Sequence, residues 1–273
     1  MIKIFNENCF ITMKKSIAAH SLDIILTSPP YNTNRRAGFN RNLLNNNTKG
    51  YPDVRYDQAI DIMSDDEYCS FTINLFNCFD NILKTDGCVL YNISYGTENT
   101  EGMFLAINSI LTNTNFTIAD TIVWKKFSAI PNNVSSNKLT RICEFVFVFC
   151  RKSEFNTFYC NKRIKSKMPS GQPVYENKFN YIEAPNNNGV CPYNKATYSV
   201  ELCEQLLKLY APNDAIVYDP FMGSGTTAVA CKYLNFSCYG SELSENQCEF
   251  AENRLNNNGI IKKSMNNNSK KLF

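Results

Sequence analysis

Two short segments of this 273-residue chain hold residue types suited to nucleotide chemistry. One runs Ala215-Ile216-Val217-Tyr218-Asp219-Pro220-Phe221-Met222-Gly223-Ser224-Gly225-Thr226-Thr227-Ala228. An apolar strand enters a glycine turn and a helix opens. Gly223-x-Gly225-x-x-Ala228 fits the G-x-G-x-x-G/A fingerprint of a nucleotide-binding turn. Its glycines let backbone approach a ligand closely. No Lys-Ser/Thr follows them, so the turn is not the phosphate loop of an NTPase. A second strand, Phe236–Ser241, ends at Glu242, whose carboxylate can accept hydrogen bonds from both hydroxyls of a ribose. A nicotinamide dinucleotide and S-adenosylmethionine both suit that arrangement. The other segment is Thr27-Ser28-Pro29-Pro30-Tyr31-Asn32. Neither proline can donate to a ladder, so the apolar strand Leu22–Leu26 must stop there. The result is a rigid turn with a hydroxyl at its start and an aromatic ring at its tip.

These turns need a scaffold. Strand-length runs occur at Asp23–Leu26, Cys88–Ile93, Thr117–Trp124, Cys143–Cys150, Ala215–Tyr218 and Phe236–Tyr239. Between them, Ser64-Asp65-Asp66-Glu67 is a capping box. Tyr68, Phe71, Leu75, Phe79, Ile82 and Leu83 then recur at helical spacing, with Gly87 as the expected stop. Leu202, Leu206 and Leu209 form another stripe before Pro212. Strands alternating with helices imply an α/β domain with a mostly parallel sheet.

Two stretches break that rhythm. Asn32 to Gln58 holds Arg35, Arg36, Arg41, Lys49 and Arg55. Arg151 to Tyr193 holds Arg151, Lys152, Lys162, Arg163, Lys165, Lys167 and Lys178 among Phe155, Phe158, Tyr159, Tyr175, Phe179 and Tyr181. Basic side chains suit phosphates and aromatics suit unstacked bases. The net charge of +3 neither requires nor excludes a polyanion. Apolar content of 44% with 19% charged residues is that of a globular protein. No apolar run is long enough for a membrane span, and Met1–Phe10 lacks a signal-peptide core. The twelve scattered cysteines have no metal-site spacing and read as reduced thiols in a cytosol-like compartment. No metal is expected.

The two turns together resemble those of the amino-directed DNA methyltransferases, which methylate an exocyclic base amine. Ser28–Tyr31 precedes Asp219–Gly225, the order of the permuted β group. Asn6-Glu7-Asn8-Cys9 sits where that family has Gly-Asp-Cys. Leu83-Lys84-Thr85-Asp86-Gly87 resembles its Leu-Lys-x-x-Gly turn. Trp124-Lys125-Lys126 with Arg141 and Glu144 resembles its Trp-x-Lys…Arg-x-x-Glu block, and Ala196–Leu202 its lead into the cofactor site. The likeness extends to about Leu255. Asn8 stands for the family's usual Asp, Asn194-Lys195 for a His-Pro pair, and Ser199 for a Pro.

The resemblance implies a Rossmann-like fold, with a mostly parallel twisted sheet and helices on both faces. Residues 1–150 would be the catalytic half, 151–193 a small inserted target-recognition region, 194–255 the cofactor half and 256–273 a tail. S-adenosylmethionine would be held by Asn8, Cys9, Thr27, Ala196, Thr197, Tyr198, Asp219, Pro220, Phe221, Gly223, Ser224, Gly225, Thr226, Thr227, Glu242 and Leu243. Ser28, Pro29, Pro30 and Tyr31 would be catalytic. DNA would be met by Arg35, Arg36, Arg41, Lys125, Arg141, Lys162, Arg163, Lys165 and Lys167. A cytoplasmic monomer or homodimer with a cognate restriction endonuclease would suit the family.

The resemblance also gives the serine turn a task. A base amine in a duplex is out of reach, so the base is flipped into a pocket. The stretch from Asn32 to Gln58, attached to Tyr31, would close over it. Ser28 and the Pro29 carbonyl can each accept one N–H, since proline keeps its acceptor. Two fixed acceptors favour the pyramidal, lone-pair-forward amine. Tyr31 can stack on the flipped ring, worth about 1–3 kcal/mol. Ser28 favours cytosine N4, with adenine N6 the alternative. A nicotinamide oxidoreductase would leave Ser28–Tyr31 idle. A glutamine or ribosomal-RNA methyltransferase places its glycines first, and a decayed DNA-binding subunit would not need both turns intact.

Overall fold

The computed structural model describes residues 1–32, 63–96, 99–129, 131–133, 135–189, 191–194 and 197–257. The expected closing stretch after Asn32, with Arg35, Arg36 and Arg41, lies outside the described residues, as do Ala196 and the tail from 258. The strands are β1 (Ile2–Phe5), β2 (Leu22–Thr27), β3 (Leu83–Ile93), β4 (Phe116–Lys126), β5 (Cys143–Arg151), β6 (Ile164–Lys167), β7 (Pro173–Tyr175), β8 (Tyr181–Ala184), β9 (Ile216–Asp219) and β10 (Ser237–Ser241). The helices are α1 (Cys9–Lys15), α2 (Asp65–Ile82), α3 (Gly102–Asn113), α4 (Val200–Tyr210), α5 (Thr226–Tyr233) and α6 (Glu245–Asn256).

Eight strands form one sheet in the order β1-β10-β9-β2-β3-β5-β4-β8, and β6 and β7 form a separate hairpin. Every neighbouring pair in the large sheet is parallel except those made by β5, which runs against β3 and β4. Alternating side chains divide two cores. Ile24 and Leu26 of β2, with Cys88 and Leu90 of β3, pack toward α4 and α5. Ile25 of β2, with Val89 and Tyr91 of β3, packs toward α1, α2 and α3. A strand of period two buried on both faces needs apolar residues at every position, and the run Leu22–Leu26 meets that except at Asp23.

Adjacent strands β9 and β2 lead to opposite faces, β9 into α5 and β2 toward α2. Parallel neighbours that diverge in this way leave a crevice outside their carboxyl ends. Both informative turns open into it.

Helix ends follow local chemistry. The Ser64 hydroxyl accepts from Glu67 N at 3.3 Å, and the Glu67 carboxylate accepts from Ser64 N at 2.8 Å, so the capping box forms. The Ser199 and Ser244 hydroxyls cap α4 and α6 by accepting from Leu202 N and Gln247 N. One expectation fails. Helix α2 ends at Ile82, and Leu83 is already strand. Leu22 pairs with Leu83 but Ile24 with Cys88, so the intervening residues bulge, with Asp86 at φ 62°. Gly87 does not stop the helix. A Cβ there would lie 2.8 Å from the Asp23 carbonyl, so glycine permits the approach of β3 to β2. The segment read as irregular after Arg151 also contains regular structure: the β6–β7 hairpin, and β8, which joins the main sheet beside β4.

Candidate active site

The cofactor corner starts with the glycine turn after β9. Gly223 and Gly225 have φ of 52° and 80°, the left-handed region that side chains avoid. A Cβ on Gly225 would sit 2.7 Å from the Ala251 Cβ of α6, so this glycine also seats one helix on another. Gly223 N donates to Glu242 Oε2 at 2.8 Å, and Ser244 N to Oε1 at 2.9 Å. The carboxylate after β10 is thus clamped at the rim of the turn. Asn8, Cys9, Pro220, Phe221, Met222, Glu242 and Leu243 line one cleft with Ser28 and Pro30. Thr197, Tyr198, Ser224 and Thr226 complete its far wall. A glycine cradle, a clamped carboxylate and apolar walls from Phe221 and Leu243 fit an adenosyl group with its ribose hydroxyls on Glu242.

Several expected residues stand beneath the lining. Asp219 is fully buried and accepts from the Thr27 hydroxyl at 2.9 Å, Phe221 N at 3.0 Å, the Thr227 hydroxyl at 2.6 Å and the Tyr198 hydroxyl at 3.1 Å. Burial pushes its carboxyl up, while these donors pull against it. Burial also raises the Tyr198 phenol well above its usual range, so it stays a donor. It pushes the Cys9 thiol up to about 12, leaving it uncharged. Asn8 caps α1, accepting from Phe10 N at 2.9 Å. Asn194 donates to Gln247 Oε1 at 3.0 Å, under Gly223.

The target corner begins where β2 ends. Thr27 lies beside Tyr91 of β3, so Ser28 emerges next to Asn92. The Tyr68 hydroxyl of α2 donates to the Pro30 carbonyl at 2.7 Å, which pins the proline turn. Ser28 Oγ lies 2.9 Å from Tyr31 Oη. Tyr31 donates to Glu144 Oε2 at 3.2 Å, and Asn92 Nδ2 donates to Tyr31 Oη at 2.7 Å. Glu144, from β5, is ion-paired through its other oxygen with Lys126 at the end of β4. Phe71 and Phe10 add aromatic wall to the cleft, their rings 5.9 Å apart.

Sequence patterning misses Asn92, Phe71 and Gln247 as site residues. A polar residue inside the buried run Cys88–Ile93 is the one local sign of Asn92. Phe71 reads as core because its spacing is that of the helix stripe.

The basic residues are spread. Arg141 stacks its guanidinium 5.0 Å over the Tyr95 ring and donates to the Tyr95 carbonyl at 2.5 Å. Tyr95 in turn stacks on exposed Phe104 at 6.4 Å. This group lies at the carboxyl end of β3, the end that carries Ser28. Lys125 is half-buried and paired with Glu183 of β8 at 2.7 Å. Lys162, Arg163, Lys165 and Lys167 are exposed on and just before β6. The chain enters that hairpin from the opposite end of the sheet, where Tyr159 N donates to the Asp86 carbonyl and Asn161 N to the Leu209 carbonyl. Arg151 is tied to Asp80 and to the Leu83 and Lys84 carbonyls. It anchors the end of β5 on α2. No group of three or more metal-ligating side chains occurs among the described residues, and no helix among them is long and apolar enough to cross a membrane.

Both turns opening into one crevice, in this order along the chain, define a class. A family model described as a DNA methylase, of the N6/N4 methyltransferase kind, matches residues 22–253. The chain belongs to that family of S-adenosylmethionine-dependent DNA methyltransferases. It is 25% identical to the orphan methyltransferase M.BamHII of Bacillus amyloliquefaciens, over 93% of this chain and 96% of that one. It is also 25% identical to the type II methyltransferase M.BglII of Bacillus subtilis, over 91% of this chain and 67% of that one. Among solved structures, the PvuII cytosine-N4-specific DNA methyltransferase shares the fold with a TM-score of 0.68 at 16% identity, covering 93% of this chain and 86% of that one.

Proposed function

We propose that this chain methylates the exocyclic N4 amine of a cytosine flipped out of DNA. The observation that carries the reading is Ser28: a hydroxyl on a pinned proline turn, opening into the same cleft as the glycine cradle and Glu242. When held there, S-adenosylmethionine would supply an electrophilic sulfonium methyl group. The chain's own residues do the rest. Glu242, Phe221 and Leu243 hold the adenosyl end. Ser28 and the Pro29 carbonyl accept the two amine N–H groups and direct the lone pair away from the ring. Tyr31 provides an aromatic face for the base. The PvuII enzyme, cytosine-N4-specific by name, shares this fold and adds support to the choice of cytosine.

DNA contacts fall to two groups in this reading. Arg141 with Tyr95 and Phe104 lies beside the catalytic turn and meets the strand around the flipped base. Lys162, Arg163, Lys165 and Lys167 give residues 151–193 a basic, exposed arm for target recognition. Exchange of 151–193 for the matching stretch of a relative changes the methylated sequence; unchanged specificity rejects that assignment.

The test is methyl transfer to mixed-sequence DNA, with the product digested to nucleosides and weighed by mass spectrometry. N4-methylcytosine from wild type, lost in Ser28→Ala, is the expected result. N6-methyladenine would keep the mechanism and overturn the choice of base.

A further inference from the structure

We propose that Glu144 sets the direction of the hydrogen-bond chain ending at Ser28, and is thereby a positioning residue for amine methylation. This role rests on Ser28 accepting an amine N–H, as above, but not on which base carries that amine. A serine hydroxyl can donate or accept. Only an accepting serine helps an amine expose its lone pair, so something must fix the choice.

The network fixes it from the far end. An ionised carboxylate has lone pairs and no proton. Tyr31, 3.2 Å from Glu144 Oε2, therefore aims its single proton at Glu144. Asn92 Nδ2 donates to Tyr31 Oη at 2.7 Å and takes up one acceptor position. Ser28, 2.9 Å from the same oxygen, then meets Tyr31 by donating to it. Asn92 Nδ2 also faces Ser28 Oγ, at the longer distance of 3.4 Å, so one acceptor position of the serine meets that amide and the other is left for the incoming amine.

Glu144 orients Asn92 as well. Asn92 Nδ2 lies 3.3 Å from Glu144 Oε2, and a reversed amide would turn its oxygen on the carboxylate. The observed orientation leaves Asn92 Oδ1 buried without a hydrogen-bond partner. An unpaired buried acceptor is costly, and here the carboxylate leaves no better arrangement. Lys126 compensates the charge of Glu144, whose side chain is 16% exposed. A glutamine at 144 could present either oxygen or N–H₂ to Tyr31. The tyrosine proton would then be free to point at Ser28 and turn the serine into a donor.

The experiment is single-turnover methyl transfer by Glu144→Gln, with dissociation constants for S-adenosylmethionine and DNA measured alongside. The expected result is a rate lowered about tenfold or more with both constants unchanged. In a Tyr31→Phe background, where the hydroxyl is gone, the same change should lower the rate less than about twofold. A wild-type rate in Glu144→Gln, or an equal loss in both backgrounds, would overturn the role. If Lys126 left unpaired prevents folding, Lys126→Gln with Glu144→Gln is put through the same comparison. Ser28→Ala run in parallel separates the two readings. Full activity there means that Ser28 is not the acceptor. Impaired Ser28→Ala with unimpaired Glu144→Gln removes only the role of Glu144.

Discussion

Behind the cleft lining, Asp219 and Glu144 are two carboxylates that the fold treats in opposite ways. Asp219, at the end of β9, is 1% exposed and receives donors from β2, α5, the segment before α4 and its own turn. Its acceptor positions are spent within the chain. Glu144, at the start of β5, gives one oxygen to Lys126 and the other to a chain of groups that ends at the open serine. The first carboxylate closes a knot that holds the cofactor corner together. The second begins a line whose far end faces substrate. Changes at the knot should therefore be read as stability, and changes along the line as rate.

The largest test of that division is Gly225→Ala. A left-handed alanine and the overlap with Ala251 together should cost about 2–5 kcal/mol. Denaturant unfolding measures it, and an unmoved midpoint would show that α5 and α6 are not seated through this glycine. Next is Asp219→Asn, which puts an N–H₂ among donors and should cost about 1–3 kcal/mol of stability. If stability held and only S-adenosylmethionine affinity fell, Asp219 would be a ligand residue and the contrast with Glu144 would collapse.

Ser64→Ala, at the start of the helix whose Tyr68 pins the proline turn, should cost about 1 kcal/mol through loss of the helix cap. Hydrogen bonds from the Ser64 backbone and hydroxyl hold the Glu67 carboxyl below its ordinary range. A carboxyl depressed in the folded state stabilises above its unfolded pKa, and that part is lost as pH falls through the folded value. The difference between wild type and Ser64→Ala should therefore narrow in acid; a constant difference between neutral and strongly acidic pH would count against the capping box. The smallest effect on stability belongs to Lys162, Arg163, Lys165 and Lys167 replaced together by alanine. Melting should hardly move, while the salt dependence of DNA binding flattens by up to ~0.9 in log–log slope for each phosphate no longer neutralised. An unaltered slope would take the hairpin out of the DNA interface.

What was legible in the sequence was local. A Pro-Pro pair ends a strand wherever it stands, and left-handed glycines after a strand mark a tight turn, so both corners could be found. The capping box at Ser64 is likewise written in four consecutive residues. What was hidden depends on pairing between distant segments. Glu144 meets Tyr31 because β5 runs against β3 with Phe145 opposite Ile93, and no spacing along the chain states that register. The end of α2 was misplaced because Leu83 is equally buried as a last helical or first strand residue. The short edge strand β8 leaves too few alternations to be seen. Asp219 belongs to a recognisable motif, but a motif does not say whether its carboxylate faces a ligand or its own neighbours.

The arrangement of β2 has a consequence for how the molecule is made. This central strand leaves the ribosome well before one of its two partners, β9; the Thr27–Asp219 hydrogen bond spans 192 positions. At synthesis rates of about 5–20 residues per second, β2 waits on the order of ten to forty seconds for that partner. Through this interval one apolar edge in the middle of the future sheet is open to strands of other chains. The cleft is assembled last, and the yield of folded enzyme depends on how well that edge is shielded until β9 arrives.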